Sequence, residues 1–89
     1  MKSIFKYQLP IEEVATVIMP QDAEVIRVDG LDGCIWIWAV VDTDKPKIPH
    51  KFHLFKTGGE IPESLSLTYM GCGAIFIQQE LMLYVFKEG

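Results

Sequence analysis

The sequence predicts an all-β protein, a small antiparallel barrel or sandwich of about six to eight short strands. Short runs alternate between apolar and polar side chains, which is the period of a strand with one buried face. Turn-forming Gly, Pro and Asp clusters separate these runs about every eight to twelve residues, a spacing typical of small β domains. At 89 residues the chain has room for one domain, which we expect to cover residues 1–89.

The first two predicted strands lie on either side of Pro10. Residues 3–9 alternate in polarity, and Pro10 ends this run because proline donates no ladder hydrogen bond. Residues 11–20 fit two patterns, since their apolar positions also match one face of a helix. Their β-branched Val, Thr and Ile side chains favour a second strand, predicted over residues 15–19.

A tight hairpin joins the next two predicted strands. Residues 23–28 form one strand, and the two Asp-Gly pairs within residues 29–33 accept the positive φ angles of a hairpin turn. Residues 34–41 return antiparallel and are apolar on both faces, which indicates a central strand buried on both sides. Trp36 and Trp38 share one of these faces.

Loops and shorter strands make up the second half. Residues 42–49 form a polar loop with two prolines, residues 50–56 a strand, and residues 57–64 a second loop. The remaining predicted strands cover residues 65–70, 74–78 and 81–86, with a bend or bulge at the Gly-Cys-Gly segment 71–73.

Composition limits the partners and the location. A hydrophobic fraction of 49% with two Trp, three Tyr and five Phe is rich for so small a chain, so we expect a homo-oligomer. The formal charge of −4 argues against generic nucleic-acid binding, which needs a broad cationic face. No apolar run is long enough to span a membrane. The two cysteines, without the pattern of a secretory leader, predict a reduced protein of the cytoplasm.

Residues 45–59 form a basic segment in an acidic chain. They hold four of the seven lysines and both histidines, with no acidic residue between them. On a strand, Lys51, His53 and Phe55 share one face, so that a cation, an imidazole and a ring lie together. The Thr-Gly-Gly segment 57–59 adds backbone N–H groups able to close on an anion. In the alternative interpretation, these lysines keep an edge strand soluble and block edge pairing.

The predicted ligand site combines this segment with aromatic rings. Each buried indole N–H needs a partner, so at least one tryptophan of the pair is expected at a pocket or a subunit interface. Core packing is the alternative for both tryptophans and for Tyr69. The predicted ligand-binding residues are Lys51, His53, Lys56, Thr57, Gly58, Gly59, Trp36, Trp38 and Tyr69.

Metal binding and catalysis find little support in the sequence. Cys34, Cys72, His50 and His53 are potential zinc ligands, but no close pair such as C-x₂-C occurs, and the two histidines point to opposite faces of one strand. Cysteines with Gly and apolar neighbours are typical of buried thiols rather than nucleophiles. No nucleophile-elbow, P-loop or H-E-x-x-H motif occurs. We therefore predict no metal site, no cofactor and no enzymatic activity.

Six segments carry a resemblance to a known group of proteins. They are IFKYQL at 4–9, MPQDAEVIRV at 19–28, WAVVDTDKP at 38–46, FHLFKTGGEIP at 52–62, YMG at 69–71 and YVF at 84–86. In this order, and over most of the chain, they resemble a family of small uncharacterised proteins of tailed bacteriophages. The chain departs from that pattern by a second tryptophan and by its Gly-Cys-Gly bend. The resemblance implies a phage origin and a β-rich fold, and it brings no catalytic residue.

A phage origin favours a role in inhibition by binding. We expect a non-enzymatic protein of the host cytoplasm that sequesters a small phosphorylated nucleotide signal, such as a cyclic dinucleotide or an ADP-ribose derivative. Such a protein would act against a host defence system. The alternative is a phage inhibitor that binds and masks a host protein, with aromatic side chains as anchors.

Overall fold

Seven antiparallel strands account for most of the chain in the computed structural model, which describes residues 1–89. The strands are β1 (Lys2–Leu9), β2 (Val14–Pro20), β3 (Glu24–Leu31), β4 (Cys34–Asp42), β5 (Lys47–Lys56), β6 (Leu67–Ile77) and β7 (Gln79–Glu88). They form two sheets, with the orders β1-β4-β3 and β2-β5-β7-β6. The predicted all-β class is confirmed, and the architecture fits a small sandwich. No helix in the structure has the length and apolar character needed to cross a membrane.

β4 is the central strand of the three-stranded sheet, as its apolar pattern predicts. It pairs with β1 on one side and with β3 on the other. Ile35 and Ile37 point into the sandwich and are fully buried, whereas Trp36 and Trp38 point outward and are half-buried. The prediction that β4 is buried on both faces is therefore wrong, because no second layer covers the outer face of this sheet.

A long hairpin forms half of the four-stranded sheet. The two strands predicted at 65–70 and 74–78 are one strand, β6, because the chain passes the Gly-Cys-Gly segment through a bulge between Tyr69 and Gly71 and stays paired with β7. β5 begins at Lys47, inside the predicted loop 42–49. Pro49 is tolerated there because this part of β5 pairs with β2 alone, while β7 joins from Phe52 onward.

Glycines close one edge of the sandwich. β3 and β6 belong to different sheets, yet their backbones touch at Gly30 and Gly73. A Cβ atom on Gly30 would lie 1.9 Å from the carbonyl oxygen of Ala74, and one on Gly73 would lie 2.7 Å from the nitrogen of Gly30. At the opposite edge no hydrogen-bonded ladder joins β1 to β2. The fold is thus a sandwich closed along one edge rather than a complete barrel.

The core fills the space between the two sheets with aliphatic side chains and one phenyl ring. Its members are Leu9, Ala15, Val17, Met19, Ala23, Ile35, Ile37, Ala39, Val41, Phe52, Leu54, Ile75, Leu83 and Val85. His50 is buried beside them, and its Nε2 donates to the carbonyl oxygens of Met19 and Pro20 at 3.2 and 3.1 Å. Burial of this polar ring is therefore compensated by hydrogen bonds.

The strand registers place three connections and the start of a fourth at one end of the sandwich. These are the turns of the β3–β4 and β6–β7 hairpins, loop 10–13, and the beginning of loop 57–66, which then runs along the sandwich to Leu67 beside Glu88. We call this the hairpin end. The opposite end holds the turn at 21–23 and loop 43–46, joined by the ion pair between Lys45 and Asp22 at 2.6 Å.

Candidate functional site

The outer face of the three-stranded sheet carries both tryptophans and two cations. Lys6 of β1 and Arg27 of β3 are both paired in register with Trp38. The Lys6 Nζ lies 4.3 Å from the ring centroid of Trp36 and 5.5 Å from that of Trp38, and the Arg27 Cζ lies 4.5 Å from the Trp38 centroid. These are cation–π distances. We call the four side chains the tryptophan face.

Asp29 fixes the guanidinium of the tryptophan face. Its Oδ2 accepts a hydrogen bond from Arg27 Nη2 at 2.6 Å, and its Oδ1 accepts one from the backbone N–H of Gly30 at 2.8 Å. The Arg27 guanidinium, together with the Gly30 N–H, holds the pKa of Asp29 below its usual value. Lys6 has no carboxylate partner, so its ammonium remains available to an anion beside the two indoles.

The outer face of the four-stranded sheet carries a cluster of rings from three neighbouring strands. His53 stacks on Phe55 with 6.3 Å between centroids, Phe55 meets Phe86 edge-on at 5.6 Å, and Phe86 lies 5.2 Å from Tyr69. We call these four residues the aromatic cluster. Tyr69 is 52% exposed, and the neighbouring Cys72 thiol raises the pKa of its phenol.

His53 is the buried polar member of the aromatic cluster. Only 7% of the residue is exposed, and its Nε2 makes no hydrogen bond. The nearest carboxylate oxygen, Oε1 of Glu88, lies 3.7 Å away, which is too far for a hydrogen bond. The ring is therefore held by packing against its aromatic neighbours rather than by a polar partner.

A cavity of about 690 Å³ opens at the hairpin end, between loops 10–13 and 57–66 and the strands β2, β5 and β7 of the four-stranded sheet. Its lining residues are Ile11, Glu12, Glu13, Val14, His53, Leu54, Phe55, Lys56, Gly59, Glu60, Pro62, Leu65, Leu81 and Leu83. We call it the end cavity. Its walls are mainly apolar, and its charged residues are three glutamates and one lysine. The excess of carboxylates makes it a poor site for a phosphate group.

The structure does not bring the predicted ligand-binding residues together. His53, Lys56 and Gly59 line the end cavity, while Lys56 and Thr57 line a smaller recess of about 270 Å³ beside it. Gly58 lies in the exposed turn, at φ +86°. The other members lie elsewhere: Lys51 and Tyr69 on the outer face of the four-stranded sheet, and Trp36 and Trp38 on the outer face of the other sheet.

Within one chain, the nine residues therefore do not form a single site. The sequence places the basic segment and the tryptophans on adjacent strands, β4 and β5, but the chain changes sheets between them. Their outward faces consequently point to opposite sides of the sandwich. The predicted basic cluster also divides, because Lys45 is paired with Asp22 at the far end.

Sequence reasoning missed the two cations that do lie beside the tryptophans. Lys6 sits between Phe5 and Tyr7 in an alternating run, and Arg27 lies in a strand predicted to pair with β4. A signal for Arg27 was present, since the Asp-Gly hairpin brings β3 beside β4. No signal in the sequence pointed to Lys6, because the pairing of β1 with β4 joins residues that are far apart along the chain.

The potential metal ligands are also dispersed. Cys34 lies on the outer face of the three-stranded sheet, Cys72 and His53 on that of the four-stranded sheet, and His50 in the core. Gln8 Nε2 donates to the Cys34 thiol at 3.3 Å. No group of three or more His, Cys, Asp or Glu side chains is placed to hold a metal ion.

The geometry defines a small all-β sandwich with the tryptophan face on one outer side, the aromatic cluster on the other, and the end cavity at one end. The chain belongs to the family described as Domain of unknown function (DUF7352), which it matches over residues 1–89. No curated protein and no solved structure matches it.

Proposed function

We propose that this protein is a non-enzymatic binding protein that sequesters a small phosphorylated nucleotide on its tryptophan face. The observation that carries the proposal is the placement of two outward indoles beside cations, with Lys6 4.3 and 5.5 Å from the ring centroids of Trp36 and Trp38 and Arg27 4.5 Å from that of Trp38. Stacking of a nucleobase on an aromatic side chain contributes about 1 to 3 kcal/mol. A cation next to the stacked base can hold its phosphate.

The two cations have different parts in this proposal. The Arg27 guanidinium is oriented by Asp29, so it offers a fixed edge to a phosphate oxygen. Lys6 covers the Trp36 ring through a flexible stem, so it can move aside for a base and then pair with the phosphate. Binding of this kind changes no covalent bond in the ligand.

The resemblance to small tailed-bacteriophage proteins supports a counter-defence role. A protein that withholds a nucleotide signal, such as a cyclic dinucleotide or an ADP-ribose derivative, stops a host defence pathway without attacking its enzymes. We place this activity in the host cytoplasm, where such signals are made.

Isothermal titration calorimetry with a panel of cyclic dinucleotides, ADP-ribose and the corresponding nucleosides tests the proposal. We expect at least one phosphorylated member to bind, the nucleosides to bind more weakly, and a Lys6→Ala, Arg27→Ala double variant to lose at least tenfold in affinity. The matched control is a Lys51→Ala, Lys56→Ala double variant, which removes the same charge from the other sheet and should bind normally. Failure of every nucleotide to bind, or equal binding by both double variants, would contradict the proposal.

The aromatic cluster favours a second candidate function, the masking of a host protein. Tyr69 is half-exposed beside Phe86. Val14 is also exposed, and it pairs in register with His53, which in turn pairs with Phe86. Aromatic rings are the common anchors of protein interfaces. Pull-down of one host protein by the wild type and not by a Tyr69→Ser variant would favour this candidate over nucleotide capture.

A further inference from the structure

The tip of the β6–β7 hairpin is an apolar projection. Phe76 and Ile77 are 72% and 60% exposed, the highest values for large apolar side chains after Met1. β5 pairs with β7 only from Leu83 onward. Residues 74–82 therefore form a two-stranded ribbon that has no strand hydrogen-bonded to the β7 edge. A two-stranded ribbon is at most marginally stable in water, so cover from another surface would stabilise it.

The end cavity lies at the same end of the sandwich and is the right kind of space for an apolar group. Its lining includes Leu54, Leu65 and Leu83, and its volume of about 690 Å³ is well above that of a phenyl ring. Ile11 of the lining is about half-exposed, as is Ile61, which lies in the chain between the lining residues Glu60 and Pro62. The glutamates at the cavity disfavour an anionic occupant, whereas a neutral ring avoids that repulsion.

We infer that two copies of this chain associate through their hairpin ends, with Phe76 of each copy inserted into the end cavity of the other. The inference is independent of the nucleotide proposal, because the tryptophan face lies on the outside of the other sheet.

Symmetry favours a second copy as the occupant. A projection and a cavity at the same end allow a closed two-fold contact, in which each copy gives and receives one ring. A projection at the opposite end would instead generate an open chain of molecules.

The exposed apolar area supplies about half of the area that such a contact needs. Burying one phenylalanine removes on the order of 150 Å² from water. Ile77, Ile11, Val14 and Ile61 add partly exposed apolar side chains at the same end. Together they give each copy a patch of a few hundred Å², roughly half of the ~800 Å² per partner in a standard interface. Polar atoms of the surrounding loops would supply the rest.

Sedimentation equilibrium of the full chain tests the inference. We expect the wild type to show twice its monomer mass of 10.1 kDa, and a Phe76→Ser variant to be monomeric and still folded, with a cooperative urea transition, because Phe76 contributes little to the monomer fold. The matched control is Ile4→Ser, an exposed apolar position on the other sheet, which should remain dimeric. A wild type that stays monomeric at high concentration, or a Phe76→Ser variant that stays dimeric, would overturn the inference.

A second variant separates insertion into the cavity from pairing of the two ribbons. Leu65→Trp fills part of the end cavity with an indole ring and leaves the hairpin tip unchanged. We expect this variant to be folded, by its urea transition, and monomeric. A folded and dimeric Leu65→Trp protein would show that the copies meet without insertion of Phe76, contrary to the inference.

Discussion

At the scale of single residues, Gly30 and Gly73 determine how closely β3 and β6 approach. Their backbones meet where no Cβ fits, and this contact joins the two sheets along one edge. Any side chain at Gly30 must displace the backbone of Ala74, which is paired with β7 and cannot shift alone. The contact therefore makes glycine a requirement of the fold at these positions.

We expect Gly30→Ala to lower the free energy of unfolding by about 3 kcal/mol or more, because overpacking against backbone forces strand movement. The control is Gly33→Ala, in a turn at φ +75° with open space around it, for which we expect a loss of about 1 kcal/mol. Urea unfolding of both variants measures the difference. Equal losses would mean that the close contact of β3 with β6 is not a feature of the folded protein.

Ion-paired carboxylates give the stability a defined acid dependence. The hydrogen bond from Lys45 lowers the pKa of Asp22, and the one from Arg27 lowers the pKa of Asp29, both from 3.8. A carboxylate with a lowered folded-state pKa stabilises the protein fully above its unfolded pKa. That contribution is lost as the pH falls through the folded-state pKa.

We expect the urea midpoint of the wild type to fall as the pH drops below about 4. An Asp22→Asn, Asp29→Asn double variant should show a shallower fall, because it lacks two of the carboxylates that take up protons on acid unfolding. Urea titrations at a series of pH values provide the measurement. Parallel curves for the two proteins would mean that neither pair is formed in solution.

At the scale of elements, β4 shows what the sequence predicts and what it leaves open. Its apolar character and the Asp-Gly turn before it identified a central strand paired with β3. The sequence did not show which face is the core, since Ile35 and Ile37 on one side are as apolar as Trp36 and Trp38 on the other. Only the packing of the second sheet decides this, and that packing depends on contacts between distant residues.

We expect Ile37→Ala to destabilise the protein by about 3 kcal/mol, because it opens a cavity in the fully buried face. Trp38→Ala, although it removes a larger side chain, should lose only about 1 to 2 kcal/mol, since one side of the indole is already exposed. Urea unfolding compares the two variants. A larger loss for Trp38→Ala would place the tryptophans in the core instead.

At the scale of the whole molecule, the order of the strands separates chemistry that is adjacent in sequence. The all-β class and most strand positions followed from local alternation and turn residues, which depend on neighbours along the chain. The division of the predicted ligand site between two sheets could not be predicted from local patterns, because the β4–β5 connection crosses from one sheet to the other. The pairing of β1 with β4, which brings Lys6 to the tryptophans, is likewise invisible to local patterns.

The most direct test of nucleotide capture is an NMR titration of the ¹⁵N-labelled protein, whose two tryptophans give two indole Nε1–H signals. On addition of ADP-ribose or a cyclic dinucleotide that binds by calorimetry, we expect both indole signals and the amides of Lys6 and Arg27 to shift and saturate together. The amides of residues 53–60 should stay in place. Shifts confined to residues 53–60, with both indole signals unmoved, would contradict binding at the tryptophan face.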